Sequence, residues 1–190
     1  MGADLSEIPR RRAGGAVLET SRLALRALSE DDAPFMLELL NEPSFIRNIG
    51  DRGVRTLDDA RGYITRGPVA SYALFGFGLY LVEHKALAAP IGICGILKRD
   101  TLPEPDIGFA FLPAYWSQGY AFESAAAIKE HARVAFGLTR LLAIVNPAND
   151  GSIRLLEKLG FTFESLTRMG AEAHDVRLYS CALGGSSRSA

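Results

Sequence analysis

Apolar and polar residues alternate from Arg22 to Ala27, with Leu23, Leu25 and Ala27 on one side and Arg22, Ala24 and Arg26 on the other. That period of two predicts a half-buried strand. Ser29, Glu30, Asp31 and Asp32 then offer capping oxygens and negative charge to a helix carrying Phe35, Met36, Leu39 and Leu40 on one stripe. Residues 41–55 contain Pro43, Gly50 and Gly53 without sustained periodicity, so a long loop is expected. Loops of that length are uncommon unless functional. Thr56 followed by Asp59 forms a capping-box pattern for a helix that places Leu57, Ala60 and Ile64 on one face and ends near Gly67 and Pro68.

Short strand-like runs follow at 78–83, 91–98 and 106–112, separated by Ala89-Pro90 and by Leu102-Pro103-Glu104-Pro105, which predicts an antiparallel meander. From 118 to 137 the period becomes helical, with Ala121, Ala125, Ile128, Ala132 and Ala135 on one face; their small side chains allow close packing on a sheet. Residues 141–145 read as a buried strand, 146–151 as loop and cap, and a short helix then runs to Leu159, where Gly160 stops it. Strands at 161–167 and 176–182 close the pattern. One domain over 16–183 is expected, with 1–15 and 184–190 as flexible tails that have nothing to bury.

Composition narrows the class. The chain has 190 residues, 48% apolar and 23% charged, enough for one ordinary core. No apolar run approaches the roughly 18 residues needed to span a bilayer, and the start lacks a secretory pattern, so a soluble cytoplasmic protein without membrane partners is expected. A net charge of −1 leaves no footprint for direct nucleic-acid binding. Cys94 and Cys181 each lie in an apolar run and read as buried thiols. His84, His131 and His174 are scattered without metal-ligand spacing, so no metal is expected.

The stretch from Ile107 to Glu123 carries the chemistry. A strand leads through a turn containing Gly119 into a long helix, bringing unpaired N–H groups together at the helix's positive end. Such a turn binds phosphate. The Gly-Lys-Ser/Thr ending of a nucleotide-hydrolysing P-loop is absent.

The same stretch resembles motif A of the GNAT acetyltransferases, in the form used by the subgroup similar to the ribosomal-protein N-terminal acetyltransferases RimJ and RimL. It reads Gly108-Phe109-Ala110-Phe111-Leu112-Pro113-Ala114-Tyr115-Trp116-Ser117-Gln118-Gly119-Tyr120-Ala121-Phe122-Glu123-Ser124, against a usual Gly-Tyr-x-x-x-Pro-x-Tyr-Trp-x-x-Gly-Tyr-Ala-x-Glu-Ala. The superfamily's broader Arg/Gln-x-x-Gly-x-Gly/Ala signature matches at Gly119 and Ala121, but Trp116 stands at its first position and removes that side-chain contact. Two further blocks fall in the family's order. Residues 19–26 resemble its opening strand, and the run from Ile144 through Asn149, Ser152 and Glu157-Lys158-Leu159-Gly160-Phe161 resembles motif B. The resemblance spans about residues 18–182.

It implies an α/β fold (α+β in some schemes), with a central mixed, mostly antiparallel sheet of about seven strands and helices on both faces. It implies acetyl-CoA as co-substrate, its pyrophosphate held on the amides of Ser117, Gln118, Gly119, Tyr120 and Ala121. A main-chain N–H at Phe111 or Leu112 would hold the acetyl carbonyl, and Asn149, also a natural helix cap, would bond the pantetheine arm. Ser152 would donate a proton to the departing thiolate. For the base, Asp106 is the first choice, with Glu104 and Glu83 as alternatives, because a buried carboxylate has a raised pKa. Glu123 reads as structural or orienting.

The acceptor would enter between residues 41–55 and the final hairpin near 170–175, and it would be a peptide N-terminus or a small-molecule amine attacking directly in a ternary complex. A non-catalytic acyl-CoA-binding module is the alternative, and a homodimer is compatible with the fold.

Overall fold

The computed structural model describes residues 15–169 and 174–184; the proposed tails, apart from Gly15 and Gly184, and the tip of the final hairpin lie outside these. Among the described residues an eight-stranded sheet runs in the order β1-β2-β3-β4-β5-β6-β8-β7. Its strands are β1 (Leu18–Glu19), β2 (Leu23–Ala27), β3 (Leu79–His84), β4 (Ala89–Leu97), β5 (Asp106–Phe111), β6 (Arg140–Val145), β7 (Thr162–Met169) and β8 (His174–Ala182). All neighbours are antiparallel except β5 and β6, which are parallel. The expected sheet is therefore present, with the two-residue β1 added at its edge.

Alternation along the strands divides the apolar residues between two cores. One face carries Leu23, Leu25, Val82, Cys94, Ile96, Ile107 and Phe111, packed against α5 (Tyr120–Phe136) and α6 (Asp150–Lys158) through Ala125, Ile128, Ala132, Ile153 and Leu156. The opposite face carries Leu81 and Ile93 against α1 (Ala33–Asn41), α2 (Pro43–Ile49) and α3 (Leu57–Ile64) through Met36, Leu39, Phe45, Ala60 and Ile64. Two apolar faces on one sheet demand cover on both. Cys94 and Cys181 are both free and buried, and burial pushes the Cys94 thiol up to about 12.

Two expectations from the sequence are corrected. Residues 41–55 are not wholly loop. Pro43 occupies the first turn of α2, where a missing N–H costs nothing, Phe45 is buried as its anchor, and Gly50 at φ 113° ends it. Nor does the helix after Thr56 stop at Gly67 and Pro68. It widens into a π-helical stretch, Thr65–Val69, that accommodates Pro68, and continues as α4 (Ala70–Phe75) to Gly76 at φ 79°. The Thr56 capping box forms as read: Asp59 N–H donates to Thr56 Oγ1 at 3.1 Å and Thr56 N–H to Asp59 Oδ2 at 2.9 Å.

Candidate active site

Strands β5 and β6 share one register pair, Asp106 with Leu142, next to a bond from Leu142 N–H to the Pro105 carbonyl at 2.9 Å, and then diverge. A cleft of about 1070 Å³ occupies the opening. Its walls include Phe109 and Phe111 of β5 and Ala143 and Val145 of β6. It reaches Gly119, Tyr120 and Ser152 at one end, and Phe45, Arg52 and Tyr63 at the other. Because α5 and α6 cover one face and α1–α3 the other, the cleft passes through the sheet.

Hydrogen-bond alternation determines what lines it. Leu112 N–H donates to the Ile91 carbonyl at 3.1 Å, and Gly92 pairs with Phe111 in the same register. In an antiparallel ladder the next residue faces the other way, so the N–H groups of Phe111 and Phe109 point into the opening. Of the two residues proposed to hold the acetyl carbonyl, Leu112 is thus excluded, its N–H being spent on β4. Phe111's own carbonyl accepts from Trp116 Nε1 at 2.8 Å, which ties the following turn to the end of β5.

The turn into α5 is shaped for an anion. Trp116 N–H donates to Pro113 and Glu123 N–H to Gly119, whereas among the described residues the N–H groups of 117–122 have no main-chain acceptor. Ser117 adopts φ 59° and Gly119 φ 84°. Left-handed residues in such a turn fold successive N–H groups into a concave nest. For Ser117 that conformation costs about 1 kcal/mol or more, the kind of strain found at ligand-binding sites.

Arg22, immediately before β2, backs this turn. Its Nε donates to Glu123 Oε2 at 2.7 Å, its Nη1 donates to the Gln118 carbonyl at 3.0 Å, and its guanidinium lies 4.4 Å from the centre of the Tyr120 ring. Glu123 also accepts from Thr20 Oγ1 at 2.5 Å and from the N–H of Arg22 at 3.0 Å. Desolvation opposes ionisation of Glu123, but these donors outweigh it and hold the carboxyl down to about 2. Tyr120's hydroxyl shares a 3.1 Å hydrogen bond with His84 Nε2. Glu123 is therefore an orienting group, and Arg22 is a residue that the sequence pattern placed on a strand without assigning it to the site.

On the opposite wall, Asn149 caps α6, its Oδ1 accepting from Ser152 N–H at 3.1 Å, and both residues border the cleft. Asp106 is 1% exposed and accepts from Arg99 Nε at 2.9 and 3.1 Å. Burial outweighs the neighbouring guanidinium and raises its pKa to about 6. The other carboxylates considered as bases are engaged elsewhere: Glu83 accepts from Arg26 Nε at 2.9 Å and Glu104 pairs with Arg140 at 3.1 Å. Phe111, Ser117, Gly119, Tyr120, Ala121, Asn149, Ser152 and Asp106 are thus brought to one cleft; Leu112 and the Gln118 side chain, which donates to Ala114, are not. No cluster of potential metal ligands occurs among the described residues, and no described helix is long and apolar enough to cross a membrane.

Residues 22–162 match the family model described as an acetyltransferase (GNAT) domain. The chain is 27% identical over 170 residues to YoaA of Bacillus subtilis, an uncharacterized N-acetyltransferase, covering 86% of this chain and 95% of that one. Among solved structures, an acetyltransferase from Agrobacterium tumefaciens superposes with a TM-score of 0.74 at 26% identity, covering 86% of this chain and 92% of that one. The ribosomal L7/L12 acetyltransferase RimL, solved with coenzyme A, superposes with a TM-score of 0.76 at 18% identity over 88% of this chain and 97% of its own, a likeness of fold.

Proposed function

The chain belongs to the GNAT acetyltransferase family and is an acyl-CoA-dependent N-acetyltransferase; from that premise we propose that it transfers acetyl from acetyl-CoA directly to a primary amine in a ternary complex. The observation that carries this reading is the through-sheet cleft, with an anion nest at one mouth and a buried carboxylate of raised pKa along its wall.

As co-substrate, acetyl-CoA supplies the acyl group through its thioester. The N–H groups of 117–121 hold the pyrophosphate at the positive end of α5. The Asn149 amide bonds the pantetheine arm where the strands part. Phe111 N–H then faces the thioester carbonyl and stabilises negative charge developing on its oxygen.

Holding amine and thioester together in a narrow cleft supplies several kcal/mol of the barrier reduction. Asp106, with a pKa of about 6, is ionised at neutral pH and, lying at the opposite end of β5 from Phe111, accepts the proton of the attacking amine through a chain of waters along the cleft. Ser152, in the first turn of α6, donates a proton to the departing thiolate. A thiol is a good leaving group, so this last contribution is modest.

The test joins acetyl-CoA calorimetry to thiol release across a panel of amines. We expect binding and turnover in the parent protein, and loss of binding in Gly119→Asp, which adds a strained side chain and negative charge to the nest. Binding without turnover on any amine would instead indicate an acyl-CoA-binding module. Unchanged affinity in Gly119→Asp would show that the phosphates sit elsewhere.

A further inference from the structure

The acceptor mouth has a distinct charge. On the α1–α3 side the cleft is bordered by Ser44, Arg47, Asn48, Arg52, Tyr63 and Arg99. Burial raises the Tyr63 phenol while the charges of Arg52 and Arg99 pull it back, so both guanidiniums bear on the same ring. Arg99 is already committed to Asp106. Among the described residues Arg47 and Arg52 have no acidic partner. The nearby Asp51 is held by Arg55, and Asp150, in the first turn of α6 and also bordering the cleft, forms no ion pair with Arg47 or Arg52. The mouth therefore presents uncompensated positive charge beside an apolar floor that includes Phe45, Leu79 and Ile93.

We propose, on the premise that the cleft acetylates an amine, that the acceptor is a primary amine bearing a carboxylate, bound at the α2–α3 mouth by Arg47 and Arg52. The amine must reach the thioester in its neutral form, so a second cationic centre on the acceptor gains nothing here and is repelled. A carboxylate anchors the far end of the acceptor through charge-assisted hydrogen bonds, for which the guanidinium fork is well shaped. The reacting nitrogen is then directed inward, toward Asp106. Polyamines are disfavoured by the same field. Free acidic amino acids and acidic peptide N-termini share the required chemistry.

The experiment measures thiol release from acetyl-CoA with glutamate, spermidine, and the C-terminally amidated peptides Ser-Glu-Glu and Ser-Lys-Lys, for the full chain and for Arg47→Gln/Arg52→Gln. Glutamate and the acidic peptide should be preferred over their cationic counterparts in kcat/KM by about tenfold or more. Glutamate outperforming the acidic peptide identifies a small-molecule acceptor, and the reverse a peptide. In the double variant KM for the preferred acceptor should rise by a similar factor with kcat retained, and in the parent protein that KM should climb with added salt. CoA affinity, measured separately, reports on the opposite mouth and on folding. Equal or better turnover of spermidine or the basic peptide, or an unchanged KM in the double variant, overturns the inference while leaving acetyl transfer standing. CoA binding without thiol release from any acceptor overturns the catalytic reading, and this inference with it.

Discussion

Arg22 and Glu123 meet at the junction of β2 and α5, with Nε to Oε2 at 2.7 Å, while Nη1 of the same guanidinium donates to the carbonyl of Gln118 at 3.0 Å. In a trans peptide the carbonyl and the following N–H point in opposite directions. Drawing the Gln118 carbonyl toward Arg22 therefore turns the Gly119 N–H away from it, toward the ligand side of the nest. Glu123 fixes the guanidinium, and the guanidinium fixes the peptide plane.

Arg22→Met should thus raise the Kd for CoA by about tenfold, the cost of losing one preorganised charge-assisted arrangement, with kcat at saturating CoA nearly unchanged. Arg22→Lys, which cannot bridge both acceptors, should recover only part of the loss. Calorimetry with CoA decides the matter; equal affinity in both variants would disconnect Arg22 from the nest. Glu123 acts over a defined pH range. Its folded pKa lies near 2, below the ordinary 4.5, so its contribution to stability is complete above about 4.5 and is lost as pH falls toward 2.

Asp106 gives the opposite sign. Its pKa is raised from 3.8 to about 6, so the folded state prefers the protonated acid, a contribution to stability complete below about 3.8 and lost as pH rises through about 6. If Asp106 is the base, kcat/KM should fall tenfold per pH unit below about 6, and Asp106→Asn should lose that limb together with most of its activity. Arg99→Gln removes the charge that lowers this pKa and should move the limb to higher pH. A limb that stays in place in Arg99→Gln would assign the titration to another group.

Ser152 should affect turnover more than binding. Its main-chain N–H, already donated to Asn149 Oδ1, is untouched by Ser152→Ala, so α6 keeps its cap. A fall in kcat of up to about tenfold with constant CoA affinity is expected if the hydroxyl protonates the thiolate. A rate that is unchanged at every pH would leave that proton to water.

The turn into α5 and the cap of α6 at one end of the cleft were legible in the sequence because main-chain geometry there follows from a few local choices: Gly119 at the turn, small Ala121, Asn149 as cap and Gly160 as stop. Each acts within a few residues of itself. The opposite end of the cleft was not legible for the converse reason. Pro43 and Gly50 look like loop punctuation, yet the burial of Phe45 turns the segment between them into a helix. Arg47, Arg52, Tyr63 and Arg99 converge only after α2, α3 and β4 have packed. Arg22 belongs to a strand-like alternation, but its partnership with Glu123 spans 101 positions and has no local signature. The choice between Phe111 and Leu112 likewise depended on ladder register, which a one-residue shift reverses.

Arg26, read as an outward-facing position of β2, is 8% exposed, because it donates to Asp32 in bidentate fashion, at 2.9 and 2.8 Å, and to Glu83 at 2.9 Å. Hydrogen bonding to Asp32, opposed by desolvation, keeps its guanidinium firmly charged. Asp32 is itself 2% exposed and also accepts from the Ser29 N–H at 2.9 Å, so the pair joins β2 to the start of α1. Removing one member of a buried pair strands the other. Arg26→Met should therefore cost about 3 kcal/mol or more in denaturant unfolding. Arg26→Met/Asp32→Asn should regain much of that, because the buried Asp32 charge is removed with its partner and Glu83, 33% exposed, can turn to water. A single variant as stable as the parent would mean that water reaches Asp32 and that the pair adds little to the fold.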